Sequence, residues 1–531
     1  MSQRSFWGWG LESAAFNEAQ RANLKAMMGM HFGALDCQPL TPPDLDSIRI
    51  NKSRLSPPDS LAGLFRHDPF ERASHTYGKA FRDVVRGLQG DFRVAPDLVA
   101  YPDSEAELLS IMDWAADAGA AVIPYGGGST VTAGVEPRLD DHWRGAISVD
   151  MSRFNKLLEV DSQSRAAHIQ AGIYGPALEA ALKPHDYSLR HYPQSFEFST
   201  LGGWIATRSG GHFATLYTHI DEFVEALQVV TPRGTVETRR LPGSGAGPSP
   251  DRMFIGSEGI LGFITSAWMR VQQRPVYRAA ATVRFDDFMR GAEAARLLAQ
   301  SGLHPSNCRL IDAREALNNG VGDGSRHLLL VAFESADHPL DPWMDRALEI
   351  CRDAGGQVAE GAGRTRTSSS GERDGASGDW RQMFIQAPYL RDGLTRLGMV
   401  VDTFETAITW DRFPEFHRAV VEAVEKAARE VCGQCLVTCR FTHVYPDGPA
   451  PYYTVIAPGK PGSQVSQWDE IKSAASDALI SHGGTITHHH SVGRDHKLWY
   501  TLQRPPLFAE SLRAVKRTLD PAGMLNPGVL I

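Results

Sequence analysis

The sequence predicts an α/β unit followed by an α+β unit, and three observations carry that prediction. From Asp97 onward strand-like runs alternate with helical ones, as they do where helices pack on a mostly parallel sheet. Three loops rich in glycine, serine and threonine interrupt this alternation, at 126–130, 193–211 and 256–265. From residue 276, strand-like runs (280–285, 327–333, 400–410, 436–445, 452–456) alternate with helical runs (289–301, 343–354, 415–431, 465–482). That order suits an antiparallel sheet with helices on one face.

A chain of 531 residues exceeds one ordinary core, so two or three domains are expected. The expected division is an accessory region over 1–93, an α/β domain over 94–275, a cap over 276–480, and a segment over 481–531 that returns to the α/β domain. Asp and Glu outnumber Lys and Arg by 62 to 54, which argues against a nucleic-acid partner. Local basic clusters still leave small anions open as ligands. Six cysteines in so long a chain do not make a disulfide framework, and a reducing, cytoplasmic setting is expected. No run approaches the roughly 18 apolar residues of a membrane span. The N-terminus lacks the apolar core of a secretory signal, and Val529-Leu530-Ile531 is no peroxisomal address.

Taken in order, the accessory region opens on a compact aromatic–glycine patch at 6–10, followed by a helix over roughly 17–28. Pro42, Pro43, Pro57 and Pro58 mark extended connections, and 71–75 reads as the start of a surface helix. Ser104 to Glu107 form a capping box opening a helix with Leu108, Met112 and Ala115 on one face, and Gly119 ends it. A strand over 121–125 then runs into Gly126-Gly127-Gly128-Ser129-Thr130. Three consecutive glycines carry no β-carbon, so successive backbone N–H groups can converge on an anion such as pyrophosphate. The spacing matches neither the Rossmann fingerprint nor a P-loop. Three such loops within one α/β stretch point to a large bound cofactor. Between 359 and 380 a stretch rich in Gly, Ser and Arg has no periodicity and reads as a mobile loop or lid.

Chemistry concentrates near the C-terminus, where His488-His489-His490 precedes Ser491-Val492-Gly493-Arg494. Imidazole titrates nearest neutrality, so a cluster of it suits proton movement. On a strand, His488 and His490 would share a face while His489 points away. A second constellation, residues 439–445 with Tyr452 and Tyr453, places an Arg, a His and Tyr side chains on adjacent strands that could line a pocket. Cys432, Cys435 and Cys439 could suggest a metal site or redox pair. On a strand the first two face opposite sides, which weighs against it.

The three loops resemble the flavin-binding loops of the vanillyl-alcohol-oxidase / p-cresol-methylhydroxylase superfamily. Within it, 197–200, Gly202-Gly203-Trp204, Thr207-Arg208, 389–392, 404–406, 410–412, 6–10 and 488–493 resemble the alkyldihydroxyacetone-phosphate synthase family over nearly the whole chain. The resemblance implies two α/β subdomains holding FAD beneath an antiparallel cap. Flavin residues would be Pro124, Tyr125, Gly126, Gly127, Gly128, Ser129, Thr130, Pro193, Ser195, Ser199, Thr200, Gly203, Thr207, Ser209, Gly210, Glu258, Gly259, Gly262 and Ile264.

It further implies Tyr453 as acid/base, with Tyr452 exchanged for it by a one-residue slip, and the histidines 488–490 for proton transfer. Arg309 and Arg440 would take the phosphate end of the substrate, for which guanidinium suits geometrically. His212 lies downstream of the position from which related enzymes link flavin covalently, so FAD is expected to be non-covalent. Related 2-hydroxy-acid dehydrogenases bind a metal through a glutamate where His489 stands. No metal is therefore expected, though His443 with the triplet keeps zinc open.

The implied reaction exchanges the acyl group of acyl-dihydroxyacetone phosphate for a fatty alcohol in ether-lipid synthesis, without net redox. An FAD-linked dehydrogenase of a hydroxy acid or alcohol is the rival. A homodimer in peripheral contact with a membrane, which supplies the lipid, is also expected.

Overall fold

The computed structural model describes residues 3–35, 37–367 and 376–531, with the backbone alone described over 376–384. Two sheets make the α/β half. In the first, the strands Leu98–Ala100, Gly145–Asp150 and Ala120–Tyr125 run parallel, and Phe65–Arg66 adds an antiparallel edge. The helix Glu105–Ala118 crosses between two of them, burying Leu108, Ile111, Met112 and Ala115. Ser104 accepts from the Glu107 N–H, and Gly119 ends the helix at φ +64, as the sequence suggests. The second sheet is a five-stranded antiparallel one, in the order Gly234–Glu237, Val224–Thr231, Phe263–Arg270, Ala166–Gln170, Leu157–Asp161.

The cap is an eight-stranded antiparallel sheet. From Tyr277–Phe285 it runs through His327–Ser335, Asn307–Ile311, Leu436–Val444 and Pro449–Pro458 to Met399–Glu405, with short strands pairing along the outer side of Tyr277–Phe285. Alternation along these strands decides which residues meet the helices. Val400, Phe404, Val437, Cys439, Phe441, Tyr453 and Val455 pack with the helices Phe288–Gln300, Asp341–Asp353, Phe413–Cys432 and Gln464–Ser481 in one core. Their sequence neighbours Val401, Thr403, Thr442, Arg440, Tyr452, Thr454 and Ile456 face the α/β half.

The region over 1–93 contacts the α/β half: Phe65–Arg66 pairs with Leu98–Ala100, and Arg4 donates to the Gly127 carbonyl at 2.9 Å. Three expectations change. The helix Pro69–Ser74 is not a surface start, since Arg72 and Ala73 are buried and buried His75 meets Asp150 at 3.0 Å. The stretch expected as a loop over 359–380 contains a short strand at Arg366–Thr367 and the start of the helix Ala376–Arg396; its residues 368–375 lie outside those described. The histidine triplet forms bends rather than a strand.

Candidate active site

A cavity of about 330 Å³ lies between the glycine loops and the outer face of the cap sheet. On the α/β side its wall comprises residues 124–130, then Pro193, Ser195, Ser199, Thr200, Gly203, Thr207, Ser209 and Gly210, and finally Glu258, Gly259, Gly262 and Ile264. Every residue expected to meet flavin is therefore on one surface. The glycines are needed for packing as much as for the ligand. A Cβ on Gly127 would collide with the Phe198 carbonyl oxygen, and Gly128 holds φ +65 against the Tyr125 hydroxyl.

Two groups that the sequence did not assign to the site complete this wall. Lys79 lines the cavity beside the glycine loop, its N–H donating to the Thr130 carbonyl at 2.6 Å. Burial, with the nearby Arg4 charge, pushes its ammonium down to about 8. A buried lysine beside a β-carbon-free loop fits a diphosphate, so the residues present suit FAD. Trp9, from the N-terminal patch, also lines the cavity, and its N–H donates to Asp392 at 2.6 Å.

Glu258 lines the cavity but is engaged by protein. Its two carboxylate oxygens accept from the Val492 and Gly493 N–H groups, each at 2.8 Å, which ties down the segment after the histidines. Burial pushes this carboxyl up to about 7, against those two donors.

On the cap side, Arg309 and Arg440 come from neighbouring strands. Glu315, buried, pairs with Arg440 and also accepts from Thr438. The Arg440 guanidinium lies 3.9 Å from the centre of the Tyr452 ring. Burial and the Arg440 charge lower Arg309 to about 9.

Tyr452 and Tyr453 are separated by the sheet. Tyr452 faces the cavity, with its ring stacked 6.1 Å from His489 and edge-on 5.5 Å from His490. Tyr453 is fully buried on the helix side, stacked on Phe404 at 4.9 Å, its hydroxyl 3.1 Å from His417 Nδ1. The placement of Tyr453 at the site is thereby corrected. Pairing of Arg440 with Tyr452, and of Cys439 with Tyr453, fixes which of the two faces the cavity.

The triplet winds around one carboxylate. Glu405, at the end of Met399–Glu405 and only 2% exposed, accepts from the N–H groups of His488 (2.6 Å), His489 (3.1 Å) and His490 (2.9 Å) and from the Thr487 hydroxyl (2.6 Å). Burial opposes its charge, yet the carboxyl is held well below its usual range. The histidines are themselves pushed down by burial, so that they are largely neutral at pH 7. The three N–H donors and the Thr487 hydroxyl, rather than imidazolium charge, are therefore what keep Glu405 ionised.

His489 and His490 line the cavity; His488 does not. Its ring lies behind them, with Nε2 2.7 Å from the Tyr445 hydroxyl and its centre 4.4 Å from that of His219. His443 lines the cavity too, its Nε2 donating to the Gly211 carbonyl at 2.9 Å. Cys432 ends a helix, Cys439 is buried in the cap core, and neither lines the cavity.

Comparison with known proteins bears on what this cavity holds. Residues 96–239 match the FAD binding domain family and 274–530 the family of FAD linked oxidases, C-terminal domain. The alkyldihydroxyacetonephosphate synthase of Dictyostelium discoideum is 30% identical over 501 residues, covering 89% of this chain and 79% of that protein. A solved alkyldihydroxyacetonephosphate synthase superposes with a TM-score of 0.80 at 25% identity, covering 99% of this chain and 97% of the other. p-Cresol methylhydroxylase shares the fold at a TM-score of 0.68 and 15% identity, covering 88% of this chain and 94% of its own. FAD is the cofactor that both family matches name.

Proposed function

The chain belongs to the alkyldihydroxyacetonephosphate synthase family, and from that premise we propose that it exchanges the acyl group of acyl-dihydroxyacetone phosphate for a fatty alcohol, without net redox. The supporting observation is the cap wall: Arg309, Arg440, Tyr452 and His489 face the flavin loops across one cavity. FAD held by the glycine-lined wall would supply an electron sink for the reaction.

The two guanidiniums hold the phosphate by charge and by their planar forks. Glu315 orients Arg440 and prevents two like charges from being buried unbalanced. Burial raises the Tyr452 phenol, while Arg440 opposes that, so Tyr452 keeps its proton at pH 7 and serves as acid. His489, kept neutral by burial, has a lone pair to receive a proton from the reacting carbon or from the incoming alcohol. Glu405 fixes the backbone of the triplet and thereby the ring. In balance, the acyl group leaves as a carboxylate and the alcohol loses its proton as its oxygen bonds to carbon.

The cavity is also lined by the apolar Ala387, Pro388, Leu390, Leu394, Val401 and Ile456, which suit the alkyl chains. No described helix is long and apolar enough to cross a membrane. Exposed Leu498, Leu502, Leu507 and Phe508 support a peripheral membrane contact from which lipid is collected.

The test is incubation of the FAD-loaded protein with acyl-dihydroxyacetone phosphate and labelled hexadecanol under anaerobic conditions. Ether product and free fatty acid in equal amounts, with the flavin absorbance unchanged at the end, are expected. Bleaching of the flavin with accumulation of a two-electron oxidation product would instead establish a dehydrogenase.

A further inference from the structure

At the cavity wall His443 and His489 converge with His488, which lies behind them. One nitrogen from each ring lies within 4.8 Å of the other two, and Nδ1 of His488 is only 3.0 Å from Nδ1 of His489. At that distance one neutral ring donates its Nδ1–H to the other's lone pair, and a cation can take the place of that proton. Four-coordinate zinc, with Zn–N near 2.0 Å, sets its ligand nitrogens roughly 3.3 Å apart. A small contraction of the cluster therefore makes a ligand set.

The surroundings match what metal-bound histidines need. The Gly211 carbonyl can only accept, so it fixes the His443 proton on Nε2 and leaves the lone pair on Nδ1, which a ligand would share with the Thr442 hydroxyl 3.2 Å away. Nε2 of His488 meets the Tyr445 hydroxyl at 2.7 Å, which orients that ring through the nitrogen not facing His489. The Glu405 carboxylate lies 3.5 Å from His489 Nδ1 and supplies countercharge. Arg309 and Arg440 oppose a cation here, as they oppose protonation of His489. Their field is offset in part by Glu405 and Glu315, and zinc binding needs neutral imidazoles, which burial provides.

We propose that His443, His488 and His489 form a three-imidazole site for a zinc-class dication, with its fourth coordination position open to the cavity. The site rests on this geometry alone. Its consequence rests on the proposed exchange reaction: bound zinc takes the His489 lone pair, so exchange falls as the site fills.

The experiment uses the FAD-loaded full chain, incubated with Zn²⁺, freed of loose metal by gel filtration, and assayed for zinc and flavin content. About one zinc per chain is expected to be retained, removable by a chelator. His443→Gln and His488→Gln, made separately, are expected to lose it while keeping FAD content and thermal midpoint near those of the parent. With 19 histidines in the chain, that loss is what separates this site from adventitious surface binding. Failure to retain zinc would show that only a proton is shared and would overturn the proposal, as would equal retention by both variants. Zinc retained with exchange undiminished would support the site and remove His489 from the role of base.

Discussion

Tyr452 and Tyr453 are covalent neighbours with the same side chain, and they lie on opposite faces of the cap sheet. One looks into the cavity between Arg440 and His489; the other is locked in the cap core by Phe404 and His417. The same division runs along the whole sheet. Thr403 and Glu405 serve the site, while Asp402 pairs with Lys472 at 3.2 Å and Phe404 packs against Tyr453. On a strand a change of one residue moves a group by the thickness of the sheet, so chemistry and packing can be written on alternate positions of one segment.

The sharpest way to break this contrast is to remove each hydroxyl in turn. Tyr452→Phe is expected to lower exchange by about 10²–10⁴-fold, the ordinary contribution of a positioned acid. Tyr453→Phe should keep kcat and cost about 1 kcal/mol of stability through its lost bond to His417. Steady-state exchange with urea unfolding of both variants decides it, and a reversal would return the acid role to Tyr453.

A second pair lies on the strand Met399–Glu405. Glu405→Gln sets amide hydrogens against N–H donors and lets the triplet shift, with an expected loss of roughly 10²-fold in exchange. Asp402→Asn, on the helix side, should leave kcat unchanged and weaken only the contact to Lys472, as activity and thermal unfolding measured together would show.

A smaller effect sharpens the substrate side. Arg440→Lys keeps the charge but loses the fork, so KM for acyl-dihydroxyacetone phosphate is expected to rise about tenfold with kcat nearly kept.

The smallest effect contrasts two buried carboxylates. Glu405 is held low, whereas Glu258 is raised from 4.5 to about 7, so the folded state binds a proton that the unfolded chain releases. That contribution is complete below pH 4.5 and is lost as pH climbs through about 7. Between roughly pH 6 and 7.5 the parent should lose about 1 kcal/mol more stability than Glu258→Gln, read from denaturant unfolding at each pH. Parallel curves would mean that the two N–H donors hold Glu258 ionised throughout.

Much of this protein is legible in its sequence because the signals are local. The alternation of strands and helices, the cap at Ser104, the glycine at 119 and the three loops each depend on residues a few positions apart. The loops even name their wall, since glycine and hydroxyl side chains leave backbone for a ligand to approach. What the sequence could not decide is set by contacts across the chain. Register between Leu436–Val444 and Pro449–Pro458 selects Tyr452 over Tyr453. Glu405, 83 residues before His488, organises the triplet, and Lys79 reaches the glycine loop from a region that reads as accessory. A carboxylate or lysine in an isolated stretch looks like any solvated charge, and only burial against distant donors and loops gives it a task.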